Sequence, residues 1–333
     1  MRLTLREKEI VDILKKEPLI SQEELAGRLN ITRSSIAVHI SNLMKKGVIL
    51  GRGYVFNERV SGVVLGQSGL ELVVQDLAGE GGWRPARVDT RLSGFAYQVS
   101  CCLARFGMDV KILTVVGVDE DGDRVIHSLQ EQHVDTANIY RSSQGRTSHM
   151  VRLSHRNETI EYCDVFGHEV FEQLLEVWEW LLFNCEWLVV EPGLQQMLVQ
   201  KMADYDNDRL PALCSYRLLQ SGDELPDYLA GFHLLVLGVS RETQIETWFE
   251  KGLALLESGL DNLVITDGFN RVVVCTRAST VEIILPPNQG FDIREGLEPF
   301  LAGLVYGLSQ GYQFRQAVRI GSGMASTTGV SSA

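Results

Sequence analysis

Residues 116–136 read VGVDEDGDRVIHSLQEQHVDT, and the stretch changes character in its middle. It opens on the end of DVKILTVV, an apolar run with the composition of a strand. It then passes through a polar turn into GDRVIHSLQEQ, which reads as a helix. A strand handed through a short turn to a helix is the unit of parallel sheets, since parallel strands need a crossover between them. The same alternation runs outward from it. SGVVLG, EWLVVE, FHLLVLG, NLVIT and RVVVCT are further strand candidates, and AYQVSCCLARFG and RETQIETWFEKGLALLESG are helical. From Val60 onward the chain is therefore expected to be an α/β domain with a largely parallel sheet. TSHMVRLSH and ETIEYCD lack an intervening helix and read as a hairpin that projects as a small lid.

The first 60 residues follow a different pattern. LREKEIVDILKKEP places Leu5, Ile10, Ile13 and Leu14 on one helical face, ended before Pro18. SQEELAGRL opens a short helix with Ser21 and Glu24 in capping-box spacing. After a turn, Thr32 caps RSSIAVHISNLMKKG, whose buried stripe is expected to be Ile36, Ile40, Leu43 and Met44. Its opposite face carries Arg33, Ser34, Ser35 and His39, with Lys45 and Lys46 at its end. VILGRGYVF reads as two short strands joined at Gly51-Arg52-Gly53.

That order resembles a winged helix-turn-helix over residues 1–57. The resemblance implies DNA as a partner, with Arg33, Ser34, Ser35 and His39 in the major groove and Lys45, Lys46 and Arg52 on phosphates. A protein-interaction or dimerisation module is the alternative. Charge favours DNA: the first 60 residues hold 11 Lys and Arg against 7 Asp and Glu, a net of +4, while the whole chain is −12.

At 333 residues the chain is too long for one ordinary core, and 45% hydrophobic with 22% charged residues marks a globular protein. Its six cysteines show no CxxC and no zinc spacing, which suggests free thiols in a reducing compartment. No apolar run approaches the ~20 residues that span a bilayer. A cytoplasmic protein without a membrane partner is expected. No internal repeat and no low-complexity linker is evident, and the head joins the body around Asn57–Ser61.

The order of landmarks in residues 61–333 resembles the ribokinase (PfkB) family of sugar and nucleoside kinases, and a winged-helix head on such a kinase resembles relatives of pseudouridine kinase. VGVDEDGDRVIHSLQEQHVDT matches the family's VGxDxxG unit, and FLAGLVYGLSQGYQFRQAVR its helix after the phosphate loop. The resemblance implies a three-layer α/β domain with a mainly parallel sheet and a small β lid, its strands near 66–95 and 147–163. It also implies a homodimer paired through the lids. For a substrate it implies a sugar or nucleoside, gripped by Glu71 where the family has Asp, with Gly94 and Gln98 lining the pocket. Glu242 survives from the metal-side N-x-x-E element, whose Asn is Val239 here. The nucleotide loop T-x-G-x-x-G becomes TDGFNR, keeping Thr266 and Gly268 beside Asn270, with Arg271 over the second Gly.

The family's D-T-x-G-A-G-D-A-F aligns without gaps to residues 292–300. Asp292 is kept, while G-A-G-D becomes Glu295, Gly296, Leu297 and Glu298. In the family those amides form an anion hole and the Asp deprotonates the substrate. Glycine lets backbone approach a phosphate, and phosphoryl transfer depends on positioning, so side chains here strike at catalysis itself. Two readings stay open. One is a plain helix start, with Asp292 and Glu295 as a capping box and Pro299 in the first turn. The other is residual nucleotide or phosphate binding, with Glu298 as base and ATP and Mg²⁺ as cofactors if activity survives. The Ser/Thr/Gly-rich end, GSGMASTTGVSSA, is expected to fray. Together the motifs favour a transcription regulator whose kinase-like body senses a sugar or nucleoside. An ATP-dependent sugar or nucleoside kinase is the alternative.

Overall fold

The computed structural model describes residues 3–17, 20–46, 48–51, 55–56, 59–76, 86–155, 158–203, 210–220, 222–241 and 244–328. The head holds α1 (Leu5–Lys16), α2 (Gln22–Leu29), α3 (Arg33–Lys45), β1 (Ile49–Gly51) and β2 (Val55–Phe56). Ser21 and Glu24 form the capping box at α2, and Thr4 with Glu7 forms a second one at α1. The head's core is Ile10, Val11, Leu14, Leu25, Ile36, Ile40, Leu43, Val48 and Ile49. Two expected members are outside it. Leu5 is 82% exposed because the helical turn points it away from Ile10 and Leu14, and Met44 is 46% exposed at the edge of its stripe. Trp180 of the body packs against this core.

The body begins at β3 (Val60–Leu65) and rises at once into the lid strands β4 (Gly69–Asp76) and β5 (Ala86–Ser93). Then come α4 (Phe95–Arg105), β6 (Val110–Leu113), β7 (Val115–Gly117), α5 (Glu120–Glu131) and β8 (Tyr140–Ser142). The other lid strands are β9 (Ser148–His155) and β10 (Glu158–Asp164), followed by α6 (His168–Phe183), β11 (Cys185–Val190), α7 (Gln195–Ala203) and β12 (Ala212–Leu219). The remainder is β13 (Leu234–Val239), α8 (Ile245–Ser258), β14 (Asn262–Thr266), β15 (Arg271–Thr276), β16 (Thr280–Ile284), α9 (Ile293–Ser309) and α10 (Phe314–Thr328).

The eight-stranded sheet runs β16-β15-β14-β13-β12-β11-β3-β6, parallel from β14 to β6 and antiparallel at β15 and β16. One apolar cluster buries its face under α4, α9 and α10, and another under α6 and α8. The result is three layers, as parallel sheets demand when both faces are covered. The lid is a separate sheet in the order β10-β9-β4-β5. β12, central to the sheet, is missing from the strand candidates because Ser215, Tyr216 and Arg217 interrupt its apolar run. Residues 321–328 also differ from the expected fraying, while 329–333 lie outside the described residues. GSGMASTT continues α10, which packs closely on α9 because Gly303 and Gly321 face each other: a Cβ on Gly303 would lie 2.5 Å from the Gly321 Cα.

Candidate functional site

The cleft lies where the C-terminal ends of the parallel strands meet the lid, the usual place for ligands in such sheets. α9 starts there, and its first turns settle the reading of residues 292–300. Asp292 is the N-cap, and its side chain accepts from the Arg294 amide at 2.8 Å. The Glu295 and Gly296 amides donate to the Asp292 carbonyl at 3.2 and 2.7 Å. Leu297 and Glu298 lie farther inside the helix, where amides serve its own ladder. The expected capping box is absent, because the Glu295 carboxylate turns toward the lid instead. Pro299 sits in the second turn, not the first.

Lid and helix are joined by charge. Glu71 on β4 accepts from Arg91 Nε on β5 at 2.8 Å and pairs with Arg152 Nη2 on β9 at 3.2 Å. The same two guanidiniums converge on one oxygen of Glu295, Arg152 at 2.7 Å and Arg91 at 3.3 Å. Glu161 on β10 takes Arg152 Nε at 3.1 Å. Ser93 Oγ donates to Glu71 at 3.2 Å, and Gln98 Nε2 donates to Ser93 Oγ at 3.1 Å. Strand alternation makes this possible, since Glu71 stands opposite Arg91 and the register sets Arg152 one place along, against Val73. Three sequence-predicted residues, Glu71, Gln98 and Glu295, thus belong to one network. The two arginines that bind it together were not singled out in the sequence. Gly94, with φ +105°, begins α4 against the Gln67 carbonyl, a contact that a Cβ would violate.

Behind this network lies a second carboxylate layer. Glu298 accepts from the Tyr216 hydroxyl at 2.6 Å. Burial pushes the Glu298 carboxyl above the usual carboxylate range, and the tyrosine bond only partly offsets this. Glu191, just past β11, is pushed by burial to about 7 although it accepts from the Gln67 amide at 2.7 Å. Its signal in the sequence is the acid that ends EWLVVE at the edge of a parallel strand. Gln67 also donates to the Phe166 carbonyl at 2.7 Å and accepts from Ser148 at 3.0 Å, tying cleft floor to lid. Asp119 from the opening stretch caps α5 and accepts from Thr147 N at 2.8 Å, so that unit anchors the start of β9.

The residues assigned to nucleotide bind one another. Thr266 Oγ1 donates to the Arg271 carbonyl and accepts from the Gly268 amide, each at 3.0 Å. Asp267 accepts from the amides of Phe269 and Asn270, and from the Asn270 side chain. Arg271 pairs with Glu246 and Glu282. Leu297 is 1% exposed and seated on β13, where a Cβ on Gly238 would lie 2.5 Å from its Cδ1. Glu242 and Arg52 fall outside the described residues. Among the described residues no group of three His, Cys, Asp or Glu could hold a metal.

On the head, the exposed face of α3 presents Arg33, Ser34, Ala37, Val38 and Lys45. The Ser34 and Ser35 hydroxyls bond to Thr32 Oγ1 at 2.9 and 2.8 Å. His39 is only partly exposed, with Nδ1 buried. Lys46 binds the buried Glu7 at 2.7 Å, so its charge stabilises the head from within.

These features define a ribokinase-like α/β body behind a winged helix-turn-helix head. Residues 63–204 match the pfkB family of carbohydrate kinases, and residues 3–49 match the winged helix-turn-helix DNA-binding family. The chain therefore joins a winged helix-turn-helix to a pfkB-family domain. It is 25% identical over 336 residues to the uncharacterized sugar kinase YeiI of Escherichia coli (strain K12), covering 94% of this chain and 90% of that one. It is also 25% identical to the bifunctional protein HldE of Trichlorobacter lovleyi, over 70% of this chain and only 50% of that protein. Among solved structures, ribokinase from Thermotoga maritima superposes with a TM-score of 0.65 at 14% identity, covering 80% of this chain and 92% of that one. A Burkholderia thailandensis nucleoside kinase gives 0.63 at 13% identity, covering 80% and 90%. Both show the fold alone. No helix among the described residues is long and apolar enough to cross a membrane.

Proposed function

We propose that this protein is a DNA-binding regulator whose pfkB-family body has exchanged phosphoryl transfer for ligand sensing. The observation that carries the reading is the latch at the start of α9. Glu295 occupies the family's anion-hole segment with a carboxylate, and that carboxylate is paired to Arg91 and Arg152. The arrangement does not fit ATP and Mg²⁺. The amides of Glu295 and Gly296 are committed to the Asp292 carbonyl, Leu297 fills the space above Gly238, and the nucleotide-loop residues satisfy each other. Glu298 is held by Tyr216, and general-base chemistry needs a carboxylate within reach of the proton it removes.

The head supports DNA as the partner through its exposed Arg33 and Lys45 and its net charge of +4 over 60 residues. A homodimer is favoured by the outer face of the lid. There Val74 stands opposite Val88 and Leu153, Leu153 opposite Ile160, and Val88, Ile160 and Tyr162 are 56%, 44% and 59% exposed. A second copy would cover that face.

The test pairs two measurements on the full chain. With ATP, Mg²⁺ and a panel of sugars and nucleosides, no ADP above background is expected. Fluorescence anisotropy with labelled duplexes should show binding that weakens steeply with salt. Sustained ADP formation dependent on one sugar or nucleoside would overturn the reading in favour of a kinase.

A further inference from the structure

The latch has an asymmetry that bears on what the cleft recognises. Glu71 takes the two arginines on separate oxygens and is 4% exposed in its side chain. Glu295 takes both on a single oxygen, and its side chain is 34% exposed. Glu71 is therefore the fixed anchor that aims the guanidiniums, and Glu295 is the member that faces solvent. A guanidinium is a rigid fork matched to carboxylates and phosphates, and two of them converging on one oxygen make a strong oxyanion seat.

We propose that Glu295 acts as a tethered stand-in for an anionic ligand. The cleft then takes a small polyhydroxy compound carrying a carboxylate or phosphate, whose oxyanion displaces Glu295 from Arg91 and Arg152. This rests on the sensing role proposed above and names its ligand class. Charge supports it. Two arginines between Glu71, Glu161 and Glu295 leave no surplus positive charge, so an added anion is tolerated only by exchange for one already there. Swapping one oxyanion for another keeps that balance, whereas a neutral ligand gains nothing from the two guanidiniums. Hydroxyl partners lie in the same cleft: Glu71 and Gln98 beside Ser93, and Glu191 on the floor, close enough to feel the charge of Glu298. Exchange also frees the lid, since Glu295 is the contact through which Arg91 and Arg152 hold β5 and β9 to α9.

Differential scanning fluorimetry on the full chain tests this with ribose, ribose 5-phosphate, gluconate and inorganic phosphate. The sugar anions are expected to raise Tm where ribose does not. Glu295→Gln removes the tethered competitor, so half-saturation should fall by roughly tenfold. Arg152→Ala should abolish the shift, and Arg91→Ala makes the same comparison if Arg152→Ala does not fold. An equal response to ribose overturns the proposal, as does one reproduced by inorganic phosphate alone. A shift unchanged in Glu295→Gln, or no response even in that variant, also overturns it. ADP formation from ATP is read separately: turnover would remove the regulator reading and leave the exchange result standing.

Discussion

On the function proposed above, the bond from Tyr216 to Glu298 is what retires a catalytic position. The family resemblance implies an acid at this place that exchanges a proton with a ligand. Here Glu298 has a phenol 2.6 Å away and sits above its usual pKa through burial. Tyr216→Phe leaves that enclosed carboxyl short of a donor and should cost about 1–3 kcal/mol, read from urea unfolding. Glu191 yields a pH signature. Its folded value of about 7 lies above the ordinary 4.5. The native state thus holds a proton that the unfolded chain has released, and stability from this group is full below about 4.5 and lost as pH rises through 7. Glu191→Gln should gain stability relative to the wild type between pH 5 and pH 8, with the two converging at low pH. A parallel pair of Tm-against-pH curves would count against a raised pKa at Glu191.

At the scale of elements, α9 and the lid decide what the cleft can do, and their coupling was only partly legible in the sequence. The substitutions at 295, 297 and 298 could be read because a gapless motif fixed their places. The arginines could not, since Arg91 and Arg152 lie 204 and 143 residues from Glu295 and meet it only through strand register. Glu191 escaped for a similar reason: one acid after an apolar strand looks like a boundary. The helix caps were clearer, as at Ser21 and Glu24, because the bonds span three residues. Tight packing of Leu297 on β13 gives an element-level prediction. Gly238→Ala would set a methyl 2.5 Å from Leu297 Cδ1 and should destabilise by about 1–3 kcal/mol. In a double-mutant cycle read by thermal unfolding, Gly238→Ala should cost less in the Leu297→Ala background than in the wild type, and a purely additive double mutant would contradict the contact.

For the whole molecule, a basic head is carried on an acidic body, and not every basic residue of the head faces outward. Lys45 is exposed, while the Lys46 side chain is 11% exposed against a Glu7 that is 2% exposed. Arg33→Ala and Lys45→Ala should each weaken DNA binding and reduce the salt slope by about 1. Lys46→Ala should instead destabilise the head by about 3 kcal/mol, because it strands a buried carboxylate. Anisotropy titrations beside head unfolding would separate the two classes. The seat of Leu297 above Gly238 has a last consequence, for descent rather than for mechanism. Restoring a small residue at 297 empties a leucine-sized hole in a finished core, at a cost of about 3–5 kcal/mol. Refilling it from position 238 requires a second change that is harmful while Leu297 remains. On the proposed reading, the road back to an open cradle crosses a valley of unstable proteins, and the exchange behaves as a ratchet.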